Sequence, residues 1–156
     1  MSTVAGPRRT HEWALWIVAF SCPLHAAEEY FTGWQEWARH SLGIVMPTSI
    51  FVFMNIVLAI AALSFARLGW RRPALALIVP TATLVNAIAF HIIPTIVERQ
   101  VSPGIYSAAM LYVPFSSWAL VGAARDGVPR RAIATGALGG IIVGFGVVVL
   151  ARGVSG

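Results

Sequence analysis

The strongest chemical signal in this chain is the segment HAAEEY, which holds His25, Glu28 and Glu29. Spacing of i, i+3 and i+4 sets His25 and Glu29 on one face of a helix, with Glu28 beside them. The residues around them, from Glu12 to Thr32, are mostly apolar. An ionisable group inside a membrane helix costs about 2.5–3.5 kcal/mol on insertion scales. Two adjacent carboxylates there need to be paired, protonated or coordinated. Pro23 frees the carbonyl four residues back and can bend the helix, opening room beside the polar face. A second polar segment, NAIAFH, holds Asn86 and His91. Asn55 stands in another apolar run, and a further run starts at Tyr106 and holds Tyr112, Ser116 and Ser117.

The elements that position these residues follow from composition. The chain has 156 residues, enough for a single domain over 1–156. Apolar residues make up 58% and charged residues 11%, against roughly 25% charged in soluble domains. A soluble surface cannot be built from this set, so the fold class is an all-α integral membrane bundle. A membrane helix needs about 20 mostly apolar residues. Five such runs are present, at 12–32, 44–66, 74–97, 105–124 and 132–151. Gly, Pro or charge occupies each break, as a turn between helices requires. The first run is too long and too polar for the core of a signal peptide and reads as a retained helix.

The net charge of +5 would point a soluble chain to nucleic acid. Here the basic residues sit between apolar runs and read as topology signals, so nucleic acid is not expected as a partner. Arg8, Arg9, Arg67, Arg71, Arg72, Arg125, Arg130 and Arg131 fall at one set of helix ends; Arg39, Arg99 and Arg152 fall at the other. That asymmetry predicts a multi-pass protein of the cell (inner) membrane, N-terminus cytoplasmic and C-terminus outside. Trp34, Trp37 and Trp70 fall at span ends, where indole rings prefer to sit. No internal repeat is visible.

Depth links the two polar segments. At 1.5 Å per residue, His25 lies ~20 Å and Glu29 ~25 Å from the cytoplasmic end of the first helix. Asn86 and His91 lie ~18 Å and ~26 Å along the third. The two segments therefore arrive at one level, in the outer half of the bilayer, and Tyr106 and Tyr112 share that half.

Several polar residues have plainer readings. Asn55 fits a helix-to-helix hydrogen bond. His11 and Glu12 read as solvated at the inner interface. Glu36, Arg39 and His40 read as solvated in an outer loop, with His40 the one that could fold over the site. Cys22 reads as a small buried hydrophobe and allows no intrachain disulfide. In the fifth helix, Gly136, Gly140 and Gly144 form a small-residue stripe for close packing or a homodimer.

These residues resemble the bacterial membrane family named for its HXXEE motif. His25, Glu28 and Glu29 match the motif; Asn86, Ala87 and His91 match its Asn-Ala pair before a histidine; Pro103 and Gly104 match a later Pro-Gly step, with Ser107 where the family tends to have threonine. The resemblance covers roughly residues 10–125. It implies no established activity, only that the cluster is the working site.

Three functions are compatible with that cluster. In a membrane metalloenzyme, His25, Glu29 and His91 would hold one divalent ion, zinc or iron. Glu28 would serve as general base or further ligand. Asn55, Asn86, Tyr106, Tyr112 and Trp16 would contact an apolar, lipid-borne substrate. In a metal-free isomerase or cyclase of an isoprenoid or sterol-like substrate, no cofactor is needed. A buried Glu29 would donate the proton, with His25 tuning it. A small proton-coupled transporter is the third. The expected partners are membrane lipid and an apolar small molecule.

Overall fold

A computed structural model describes residues 8–154. Those residues form a helical bundle: α1 (Trp13–Phe31), α2 (Trp34–Ser41), α3 (Thr48–Leu68), α4 (Pro73–Glu98), α5 (Ile105–Arg125) and α6 (Arg130–Val154). No strand occurs among the described residues. The helices α3 to α6 are long and apolar enough to cross a membrane, and the chain is a membrane protein on that ground. The helix α1 is shorter, and His25 and the two glutamates make it more polar. It packs against α3 and α5, with Ala14, Val18 and Ala19 almost fully enclosed.

The break expected at 33–41 is itself a helix. Gly33, at φ +84°, ends the run of α1, and WQEWARHS restarts as the amphipathic α2. Its Trp37 and Ala38 turn inward. Glu36, Arg39 and His40 stay exposed and pair with one another, at 2.6 Å for Arg39–Glu36 and 2.8 Å for His40–Glu36. Hydrogen bonds from Arg39 and His40 lower the Glu36 pKa to about 2. Pro47 then marks the start of α3, so residue 44 is not its first turn; Ile44 is instead buried beneath α2.

Small residues set the helix spacing. Alanines at 14, 62, 66, 76, 87, 108, 119 and 123 are all buried and let backbones approach. The glycine stripe of α6 does the same against α4. A Cβ on Gly136 would meet the Ala74 carbonyl at 2.7 Å, and one on Gly140 the Ile78 carbonyl at 2.5 Å. Gly144 faces Val85. The stripe is therefore engaged within the chain, and a homodimer through it would have to displace α4.

Two helices are widened. In α4, residues Asn86–Ile92 form π turns, and in α5 residues Ala108–Tyr112 do so. Each widened stretch ends two residues before a proline, Pro94 and Pro114. Proline lacks an N–H and clashes with the carbonyl four residues back. Extra residues in the preceding turn relieve that clash and re-aim the side chains there.

His11 and Glu12 are half-buried and bonded to the turns that cover them, in contrast to the solvated reading from sequence. Asp126, buried in the turn after α5, accepts hydrogen bonds from the His11 amide (2.8 Å) and the Trp70 indole (2.8 Å), and it pairs with His11 Nδ1 at 2.7 Å. Glu12 accepts the Trp70 amide at 2.6 Å and both binds and pairs with Arg9. Gly69, at φ +51°, lets the chain approach Glu12 there: a Cβ would meet its Oε1 at 2.7 Å. Trp70 is thus a buried tie rather than an interface anchor. This latch joins the N-terminal segment, the α3–α4 turn and the α5–α6 turn at one end of the bundle.

Candidate functional site

At the opposite end of α1, His25, Glu29 and His91 converge. Their candidate ligand atoms all lie within 4.8 Å of one another, and all three residues are buried. Glu29 Oε1 is 3.4 Å from His25 Nε2 and 3.5 Å from His91 Nε2. His25 and Glu29 meet because they are one turn apart on α1. His91 reaches them from the π segment of α4. A π turn closes an i→i+5 hydrogen bond, so the widening also brings Asn86, five residues before His91, toward the same side. The two imidazoles stand edge to face, ring centres 4.8 Å apart, and Tyr112 packs on His25 at 4.5 Å.

Each imidazole is held from behind by a serine. His25 Nδ1 lies 2.8 Å from Ser107 Oγ, and His91 Nδ1 lies 3.1 Å from Ser102 Oγ. Each serine hydroxyl is directed at backbone carbonyls, Gly104 for Ser107 and Phe90 and Pro103 for Ser102. In the tautomer in which each serine oxygen accepts from Nδ1–H, Nε2 of both rings carries the lone pair. Both Nε2 atoms are buried without a hydrogen-bond partner. The result is three acceptor atoms facing one another in a buried space, an arrangement that repels itself unless a cation or proton lies among them.

Gly104 closes the site from the loop side. Its φ of +91° favours glycine, and a Cβ there would meet His91 Cε1 at 2.8 Å, Glu29 Cγ at 2.9 Å and His25 Cε1 at 2.9 Å. Sequence reasoning flagged Gly104 only through the family pattern and missed Ser102. The Ser-Pro-Gly step, which places a hydroxyl and a tight turn together, was the available signal.

Glu28 is turned away from the cluster. Its carboxylate accepts the amides of Tyr106 (3.0 Å) and Ser107 (2.7 Å), the second and third residues of α5. That is the task of an N-cap side chain, performed here from another helix and with a charge that suits the helix dipole. Glu28→Ala should therefore lower stability by about 0.5–2 kcal/mol. Thermal melting in detergent checks this; a melting temperature equal to wild type would contradict the capping role.

A cavity of ≈ 160 Å³ opens beside the cluster, with His25 and Glu29 in its wall. Asn55, Asn86 and Tyr112 also line it. Tyr106 and Trp16 do not; Tyr106 is 64% exposed, and Trp16 stacks on Phe20 at the surface. The segment from α2 to the start of α3 does line the cavity, through Trp34, Leu42, Ile44 and Met46 rather than through His40.

A helical membrane protein with a buried cluster of two histidines and one carboxylate beside an apolar cavity is the class that fold and site define. The family described as "Protein of unknown function with HXXEE motif" matches residues 16–119, and the chain belongs to it. No curated protein and no solved structure matches.

Proposed function

We propose that this chain is a membrane enzyme that acts on an apolar, lipid-borne substrate at a mononuclear divalent-metal site formed by His25, Glu29 and His91. The observation that carries this reading is the meeting of three buried groups of metal-ligand type with both imidazole Nε2 atoms unpartnered. The spacing supports it. Ligands about 2.1 Å from a tetrahedral ion stand about 3.4 Å apart; the Glu29 oxygen lies 3.4 and 3.5 Å from the two nitrogens, and the whole set spans up to 4.8 Å, so the two imidazoles would draw together around an ion. A shared proton is served less well, because N–H···O bonds run about 2.7–3.2 Å.

Two imidazoles and one carboxylate leave positions open for substrate, as zinc and non-haem iron enzymes require. A bound ion would supply a Lewis acid in a pocket poor in water. The chain does the rest. Ser102 and Ser107 hold the rings, Gly104 leaves room for them, and Tyr112 backs His25. The cavity receives the substrate and excludes bulk water. The arginine asymmetry supports an inner-membrane, multi-pass placement with the N-terminus in the cytoplasm and this site in the outer half.

Metal content tests the proposal. Wild-type chain, purified in mild detergent without an immobilised-metal step, should carry near one equivalent by mass spectrometry. His25→Ala, His91→Ala and Glu29→Gln should each retain under about one tenth of that, while Glu28→Gln keeps it. Absence of metal from wild type with the fold intact would overturn the metal site and move the assignment to Glu29 as proton donor.

A further inference from the structure

The segment from Ser102 to Ser107 touches the cluster three times. Ser102 Oγ lies 3.1 Å from His91 Nδ1, Gly104 lies against His25, Glu29 and His91, and Ser107 Oγ lies 2.8 Å from His25 Nδ1. The segment is stiff within itself. Pro103 has a fixed φ, the Ile105 amide donates to the Ser102 carbonyl at 3.1 Å, and the Ala108 amide donates to the Gly104 carbonyl at 3.0 Å. It still has to be fixed against the helices that carry the ligands, and a side chain does this at each end. The Ser102 amide donates to Thr95 Oγ1 on α4 at 3.1 Å. The Ser107 and Tyr106 amides donate to the two carboxylate oxygens of Glu28 on α1, at 2.7 and 3.0 Å. Each anchor stands one turn after a histidine on its own helix, Glu28 after His25 and Thr95 after His91. Each therefore grips the backbone of the serine that touches that same histidine.

We propose that Glu28 is a positioning residue for His25: it fixes the Ser107 backbone and, through it, the hydroxyl that orients the imidazole. Thr95 does the same for His91 through Ser102. The proposal rests on the cluster being the working site proposed above. It divides the adjacent carboxylates between two tasks, with Glu29 in the cluster and Glu28 on the frame around it. A carboxylate suits the second task for two reasons. Its two oxygens take two backbone amides at once, and charge-assisted bonds are roughly twice as strong as neutral ones. Without that grip Ser107 could drift from His25 Nδ1, and the ring could swing on its own χ angles. Partners that hold a metal-binding histidine from behind are typically worth about 10–100-fold in metal affinity.

The test uses the full chain in detergent micelles with isotope-labelled histidine, read by nitrogen NMR without metal and then titrated with zinc. In the metal-free chain, Glu28→Ala and Ser107→Ala should both shift the His25 Nδ1 resonance more than that of His91, and Thr95→Val should do the reverse. Zinc affinity should fall about tenfold or more in Glu28→Ala and in Ser107→Ala. The double variant should bind within about twofold of Ser107→Ala alone, because both changes break one link. Glu28→Gln keeps an oxygen that can accept the Ser107 amide and should restore both the resonance and the affinity. Losses that multiply in the double variant would overturn the route through Ser107. Equal shifts of both histidines in Glu28→Ala would mean general loosening, and an unmoved His25 resonance would mean no coupling; either result overturns the proposal. A wild type that takes up no zinc would overturn the ion instead, and the metal-free resonances would still decide the role of Glu28.

Discussion

Gly104→Ala should strip the cluster of the proposed metal ion while the helices stay assembled. The added methyl would lie 2.8–2.9 Å from His91 Cε1, Glu29 Cγ and His25 Cε1, and ordinary contact starts at 3.4 Å. Each side chain would have to retreat by about 0.5 Å, and sites of this kind tolerate about that much error before they fail. The three ligands would move apart together, because the methyl enters between them. Overpacking of this sort costs about 1–3 kcal/mol, and a left-handed φ adds strain for any residue with a Cβ. The two effects can be told apart. Gly127 has φ +80° and open space around its Cβ position, so Gly127→Ala carries the strain without the wedge. Metal content and melting temperature should be measured for both variants. We expect Gly104→Ala to lose at least tenfold in metal affinity and Gly127→Ala to keep it. Equal retention would mean that the loop, not the ligand set, tolerates the methyl, and that the cluster is looser than its distances imply.

Why these residues and not others were visible from sequence has a physical answer. His25 and Glu29 are one helical turn apart, so a local period exposes their shared face. His91 is distant in sequence, but depth counting sets it at the same level, because an extended apolar helix advances steadily through a bilayer. Glu28 could not be assigned that way. Its partners are the amides of Tyr106 and Ser107, and a backbone donor carries no mark in the sequence. The widened turns at Asn86–Ile92 and Ala108–Tyr112 were hidden for another reason: straight-helix counting assumes one rise per residue. Pro94 and Pro114 were the clue. Trp70 was misplaced because an indole at a span end serves equally as interface anchor or as buried donor, and only Asp126, far along the chain, decides between them. His11 and Glu12 were misjudged on the same ground. Residues at a helix start look solvated until the turns that cover them are known.

Asp126→Ala should show the converse behaviour to Gly104→Ala, with a large loss of stability and an unchanged metal content. The carboxylate is buried and accepts from the His11 amide, the Trp70 indole and, at 2.7 Å, pairs with the His11 ring. Its removal leaves the Trp70 Nε1 and the His11 amide without an acceptor, at about 1–3 kcal/mol each. A total near 3 kcal/mol would lower the melting temperature by roughly 10 °C in a chain of this length. The latch sits at the other end of α1 from His25 and Glu29, so the ligands should stay in place. The effect should also depend on pH in a defined direction. Burial pushes the Asp126 pKa up, but hydrogen bonds from the His11 amide, the Trp70 indole and the His11 imidazole outweigh it and hold the pKa below its ordinary 3.8. A carboxyl lowered on folding stabilises the fold at every pH above its unfolded value. That contribution fades only as pH falls from 3.8 through the lower folded value. The melting-temperature gap between wild type and Asp126→Asn should therefore be constant from neutral pH down to about 4 and close below that. A gap that does not close as pH falls below about 4 would contradict the role of the ionised Asp126 carboxylate.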